Sequence, residues 1–229
     1  AEQKGVSRQS VSDCLQKCRK QLEKYEEIEM WNHIHYIMDR AVKGGNVQLK
    51  VTGLEHLPEQ DGFMLYGNHQ GMFDVVAIGA TCDKPLAAVM KKELKDAPLL
   101  KQIMQCTNSF AMDREDVRQS RTVIQNVTEE VKKGRRYVIF PEGTRCDDGK
   151  LGPFKKGAFV IANMAQTTII PVSIQGSYDI LPKGCKCLHW SPVTLTFHAP
   201  VECKGRDSEN VDYMLSETRD AIAKTLGED

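Results

Sequence analysis

The 229-residue sequence has no run of the roughly 18 apolar residues that a helix needs to cross a bilayer. It shows no apolar signal-peptide core near its start. It opens on Ala1 rather than Met, which is compatible with an anchor upstream. It has no net charge, with Lys plus Arg and Asp plus Glu at 31 each. A nucleic-acid binder carries a basic surplus to meet phosphates, so bulk charge argues against that class. There is no C-x-x-C pair. The 8 Cys are scattered, and the one tight group, Cys185-x-Cys187-x-His189, lacks the wider ligand-pair spacing of a zinc knuckle, so no metal is expected. The chain is too long and too poor in Cys for a disulfide scaffold, so reduced thiols in a cytosolic compartment are expected. No Gly-x-Ser-x-Gly elbow occurs, which disfavours a serine hydrolase or thioesterase.

What is present reads as one α/β domain behind a helical segment. The composition, 41% hydrophobic and 27% charged, is globular. From Ser10 to Lys43 there is no Gly or Pro, and Val11, Leu15, Cys18, Leu22 and Tyr25 recur at helical spacing until Gly44-Gly45. Within it, Ile28 to Met38 sets Trp31 and Tyr36 among aliphatics. That composition suits either a helix lying in a membrane interface or a helix packed on the core. Strands are predicted at Val47–Val51, Phe63–Gly67, Leu86–Met90, Ser109–Met112, Tyr137–Phe140, Ile169–Ile174 and Val193–Phe197. Helices are predicted at Val75–Ala80, near Pro98, and at Val117–Lys133, Phe154–Met164 and Val211–Leu226. Strands alternating with helices imply a mixed, largely parallel sheet flanked by helices. Two basic groups stand out. Lys132, Lys133, Arg135 and Arg136 read as a solvated helix terminus, and Lys91, Lys92 and Lys95 follow the third strand.

Two motifs carry chemistry. Asn68-His69-Gln70-Gly71-Met72-Phe73-Asp74 places a base and a carboxylate five residues apart across a turn that Gly71 permits. An imidazole that accepts a proton through one nitrogen needs the other held as a donor, and Asp74 suits that role. By itself the pair is a weak signal. Phe140-Pro141-Glu142-Gly143-Thr144-Arg145 follows a buried strand, and in open α/β sheets ligands bind outside the carboxyl ends of strands. The planar fork of Arg145 matches phosphate oxygens, Glu142 could steady it or bond an acceptor hydroxyl, and Gly143 admits close approach of a ligand.

In this order the two motifs resemble the glycerolipid acyltransferase superfamily, nearest its bacterial-type 1-acylglycerol-3-phosphate (lysophosphatidate) acyltransferases. Phe110-Ala111-Met112-Asp113-Arg114 and Ile169-Ile170-Pro171-Val172 resemble the family's middle and last blocks. Lys91-Lys92-Glu93-Leu94 and Phe154-Lys155-Lys156-Gly157-Ala158-Phe159 are also typical in place, and the resemblance runs from Leu49 to Ser177. The middle block departs from the family pattern at Asn108 and Ala111.

Residues 1–45 are expected to form an N-terminal helical segment, lying in a membrane interface or packed on the core, ahead of an acyltransferase domain over 46–229. The resemblance implies His69 as general base and Asp74 as its orienting carboxylate. Arg114, Glu142, Gly143, Thr144, Arg145, Lys92 and Lys156 would bind substrate, and an N–H near Gly71 or Gly143 would meet the oxyanion. The acyl donor would be acyl-CoA or acyl carrier protein, the acceptor lysophosphatidate, and the product phosphatidate, with no cofactor or metal. Work at the cytoplasmic face of a membrane, peripherally or by an N-terminal anchor, is expected. The competing readings are another lyso-lipid acceptor and a non-catalytic peripheral lipid-binding module.

Overall fold

A computed structural model of the chain describes residues 8–44, 47–71, 73–95, 100–113, 115–146, 149–180 and 189–228. The elements in order are α1 (Arg8–Gly44), β1 (Leu49–Thr52), β2 (Met64–Gly67), α2 (Phe73–Thr81), β3 (Leu86–Lys91), α3 (Leu100–Thr107), β4 (Phe110–Met112), α4 (Val117–Lys132), β5 (Arg136–Ile139), α5 (Lys156–Ala165), β6 (Ile169–Gln175), α6 (Ser177–Ile180), β7 (Val193–Phe197) and α7 (Ser208–Leu226). Only α6 goes unforeseen, because four residues are too few to display a helical period. The expected Pro98 start of the third helix lies outside the described residues; α3 begins at Leu100.

The sheet has the order β1-β7-β6-β2-β5-β3-β4, and every pairing is parallel except β6 with β7. This is the mixed, largely parallel sheet expected. β2, β5 and β6 lie at its centre with both faces covered, which is why their sequences run apolar without alternating. β7 alternates buried Val193, Leu195 and Phe197 with half-buried Thr194 and Thr196. One core packs Leu65, Val138, Ile170, Val172 and Ile174 beneath α1 and α2. The other packs Met64, Tyr66, Tyr137 and Phe159 with Val123 and Val127 of α4 and Met214 of α7.

The inner stripe of α1 belongs to the first core. Trp31 is 3% exposed, Ile34, Met38 and Val42 are buried beside it, and the Trp31 indole N–H donates to the Cys82 carbonyl at 3.3 Å. The opposite stripe leaves Tyr36 64% and Ile37 56% exposed, with Ile28 and Met30 also open. So the two aromatics of this segment point in opposite directions: Trp31 is a core residue and Tyr36 a surface one. Arg135 ties α1 to the domain through Glu27 and bonds Glu130 at 3.1 Å. Lys132 and Lys133 pair with Glu129 and Glu130, and Arg136 pairs with Asp61 at 2.6 Å. Lys132 and Lys133 are exposed at the end of α4, as a solvated helix terminus would be, but Arg135 is half-buried and Arg136 is buried at the start of β5, because their ion pairs draw them onto the domain. Among the described residues no helix is long and apolar enough to cross a membrane, and no cluster of His, Cys, Asp and Glu is arranged to hold a metal. Cys185 and Cys187 lie outside them.

Candidate active site

β2 ends at Gly67 and β5 at Ile139; the two are parallel neighbours, so the loops that leave them start side by side at the carboxyl edge. The β2 loop carries His69, and its partner carries Pro141 to Arg145. Three bonds join the loops: the His69 N–H donates to Glu142 Oε1 at 2.7 Å, the Cys146 N–H donates to the His69 carbonyl at 2.9 Å, and the Cys146 thiol reaches the Gln70 carbonyl at 3.7 Å. The two motifs thus meet at the carboxyl end of the sheet.

His69 Nδ1 lies 2.7 Å from Asp74 Oδ2. Asp74 opens α2, is fully buried, and takes two further donors: the Gly71 N–H at 2.9 Å and the Ser177 hydroxyl. A carboxylate facing three donors is an acceptor, so Nδ1 carries the proton and Nε2 is left with its lone pair. Nε2 has no partner among the described residues. The imidazole stacks on Phe140, with centroids 4.2 Å apart and planes 19° apart, and it is 20% exposed. This ring is fixed on one side, partly exposed, and unpartnered at one nitrogen among the described residues.

Asn68 fixes the same loop from the other flank. Its side-chain amide donates to the Ile174 carbonyl at 2.9 Å and accepts the Ile174 N–H at 2.8 Å, continuing the β2–β6 ladder one step past its end. Sequence reasoning gave no role to Asn68, Phe140 or Ser177. Their signal was positional, since each sits where a strand of the central trio ends.

Several expected site residues stand elsewhere than the sequence suggested. Glu142 does not touch Arg145. It is 4% exposed and turned inward, and its second oxygen accepts the Gly152 N–H at 2.9 Å. Burial pushes its carboxyl above the ordinary value of 4.5, against the two N–H bonds, which favour the charged form. Lys156 is bound to Asp212 of α7 at 2.6 Å and to Ser208, so its ammonium is directed at the last helix. The neighbouring Lys155 instead lies against the Pro141–Arg145 turn. Its N–H donates to the Pro141 carbonyl at 2.9 Å, and its Nζ lies 3.0 Å from where a Cβ on Gly143 would sit. Gly143 has φ +74°, a left-handed conformation that favours glycine. Lys92 pairs with Asp113 at 2.8 Å beyond the end of β3. Thr144 is exposed, its hydroxyl meeting only the Arg145 carbonyl at 3.4 Å. Arg145 is half-buried with no carboxylate within ion-pair distance among the described residues. Arg114 lies outside those residues. The N–H groups of Gly71 and Gly143 themselves are taken, the first by Asp74 and the second by a turn on the Phe140 carbonyl at 3.0 Å, so an oxyanion donor near them would have to be a neighbouring N–H. At the departing middle block, Asn108 has φ +52°, a region that asparagine enters more readily than most side chains.

The Acyltransferase family model matches residues 48–175, more than half of the chain and the whole of this site up to the end of β6. The chain belongs to the acyltransferase family. It is 31% identical over 178 residues to 1-acyl-sn-glycerol-3-phosphate acyltransferase BAT2, chloroplastic, of Brassica napus, covering 77% of this chain and 50% of that one. It is 27% identical over 192 residues to the 1-acyl-sn-glycerol-3-phosphate acyltransferase of Saccharomyces cerevisiae, covering 80% and 61%. Among solved structures, the 1-acyl-sn-glycerophosphate (LPA) acyltransferase PlsC of Thermotoga maritima superposes with a TM-score of 0.76 at 28% identity, covering 91% of this chain and 83% of that one. This acyltransferase chain spans about half the length of the first of these curated relatives.

Proposed function

We propose that this chain transfers an acyl group from a thioester donor, acyl-CoA or acyl carrier protein, to the sn-2 hydroxyl of a 1-acylglycerol-3-phosphate, giving phosphatidate. The observation that carries the reading is the His69–Asp74 pair, its Nε2 unpartnered among the described residues, on a loop joined directly to the turn that bears Arg145. His69 Nε2 takes the hydroxyl proton as that oxygen attacks the thioester carbonyl. The tetrahedral adduct collapses with loss of the thiolate, which takes the proton back from the imidazolium. Asp74 holds the ring in the reactive tautomer and balances its transient charge. General-base assistance of this kind contributes on the order of 10²–10⁴-fold. The reaction as written uses neither cofactor nor metal.

The acceptor phosphate is assigned to Arg145, with Lys155 beside it in place of Lys156. With Glu142 turned inward, no carboxylate among the described residues competes for Arg145. Lys92, beyond the end of β3, and Arg114 are assigned to the same phosphate, and Thr144 to its edge. Residues 46–229 form the catalytic domain in this reading. Residues 1–45 meet the cytoplasmic face of a membrane through the exposed stripe around Tyr36 and Ile37, where an amphiphilic acceptor resides. The test is thiol release with lysophosphatidate and each donor type. Wild type is expected to release thiol only when acceptor is present, and the His69→Ala variant not at all. Release that ignores the acceptor, or survives in the variant, would refute the reading.

A further inference from the structure

We infer that Ser177 is a positioning residue of the active site, completing a Ser177–Asp74–His69 chain, and that the carboxyl end of β6 aligns the base. The inference deepens the proposed function and rests on it for its kinetic arm.

Three observations meet at this point. The Ser177 hydroxyl donates to Asp74 Oδ1, while Oδ2 takes both His69 Nδ1 and the Gly71 N–H. Asp74 and Ser177 are both fully buried, so no water stands ready to replace a lost donor. Backbone packing imposes the approach: a Cβ on Gly71 would lie 3.1 Å from the Ser177 carbonyl oxygen and 3.5 Å from its hydroxyl. One turn earlier, Asn68 and Ile174 exchange two hydrogen bonds. The loop bearing His69 is therefore seated on residues 174–177, more than a hundred positions downstream. The two carboxylate oxygens have separate tasks. Oδ1 is held by Ser177, which sets the plane of the group and aims Oδ2 at the imidazole. Without that hydroxyl Oδ1 is left without its donor, the carboxylate can rotate, and the two bonds at Oδ2 to His69 and Gly71 lose their alignment. Ser177 touches no substrate in this arrangement; it acts through Asp74.

The test compares Ser177→Ala, Ser177→Thr and Gly71→Ala with wild type, using steady-state acyl transfer and the proton NMR resonance of the His69 Nδ1–H. Ser177→Ala is expected to lower kcat by about 10-fold or more, the scale set by losing a hydrogen bond to a charged group, with KM for both substrates within about 2-fold. The downfield Nδ1–H resonance should move or broaden. Ser177→Thr keeps the hydroxyl and should restore both readouts, and Gly71→Ala should reproduce the Ala phenotype by pushing Ser177 away. A Ser177→Ala enzyme with wild-type kcat and an unmoved resonance would overturn the inference. So would a folded Ser177→Thr variant as impaired as Ser177→Ala. If Ser177→Ala does not fold, Ser177→Cys takes its place: its thiol is a much weaker donor than the hydroxyl, so kcat should fall and the resonance move in the same direction by a smaller amount, and wild-type values of both would overturn the inference. Should wild type show no transfer, the resonance still decides the Ser177 link, which separates this failure from that of the proposed reaction.

Discussion

The imidazole of His69 lies nearly parallel to the ring of Phe140, 4.2 Å from centroid to centroid. Phe140 is the last residue before the Pro141 turn, so the second motif supplies the wall against which the base of the first is held. Stacking blocks one face of the imidazole, and the bond to Asp74 fixes its rotation. His69→Ala should leave the fold intact and abolish transfer. Phe140→Ala should keep the base but free its ring, lowering kcat more than it raises KM. Circular dichroism paired with thiol-release kinetics checks both; a Phe140→Ala enzyme of unchanged kcat would dismiss the wall.

Lys155 and Lys156 are neighbours with opposite commitments. Lys156 is held by Asp212, whereas Lys155 lies along Gly143. Arg145→Ala and Lys155→Gln should raise KM for a phosphorylated acceptor by about 10-fold or more, as removal of a charge-assisted bond does, and leave KM for the donor nearly unchanged. Lys156→Gln should alter neither. Equal effects of the two lysine substitutions would contradict the assignment.

Glu142 gives a pH signature. Burial raises its carboxyl in the folded state above the ordinary value of 4.5. Between those two values the folded chain holds the proton more tightly than the unfolded one, so stability falls as pH rises through that window. The contribution is fully present below the ordinary value and lost above the raised one. Glu142→Gln cannot ionise, so its melting temperature should fall less steeply with pH across the same window. It should also transfer more slowly, since an amide cannot accept both the His69 and Gly152 N–H groups. Parallel melting curves against pH for the two proteins would refute this.

The faces of α1 separate stability from membrane contact. Trp31→Ala empties a core position and should cost about 3–5 kcal/mol, measured by denaturant unfolding. Tyr36→Ser with Ile37→Ser should change stability by no more than about 1 kcal/mol yet weaken sedimentation with anionic vesicles. Vesicle binding untouched by the double change would remove the exposed stripe as a membrane contact.

Much of this molecule was readable along the chain. Apolar runs ended by Gly or Pro mark the central strands, and Val123, Val127 and Val131 mark one face of α4, because periodicity is a local property of burial. His69 with Asp74 was readable for a similar reason: five residues across a turn are near in space whatever the rest of the fold does. Trp31 was only half readable, since composition shows that a helix is amphipathic without saying which solvent, core or lipid, meets each stripe.

The roles of Glu142, Lys155 and Ser177 were decided by packing between distant segments. Glu142 stands three positions from Arg145 and invites a local ion pair, yet two unsatisfied N–H groups in a buried loop made a stronger claim on its oxygens. Lys155 and Lys156 are chemically alike, and only the placement of Asp212 on α7 tells them apart. Ser177 is 103 residues from Asp74, and nothing short of the β2–β6 pairing brings them together. Residue types and spacing set which chemistry this chain can perform, because those are properties of neighbours along the backbone. Where each oxygen, ammonium or hydroxyl stands relative to that chemistry was settled by tertiary structure, because burial makes polar groups find partners from whatever the fold brings near.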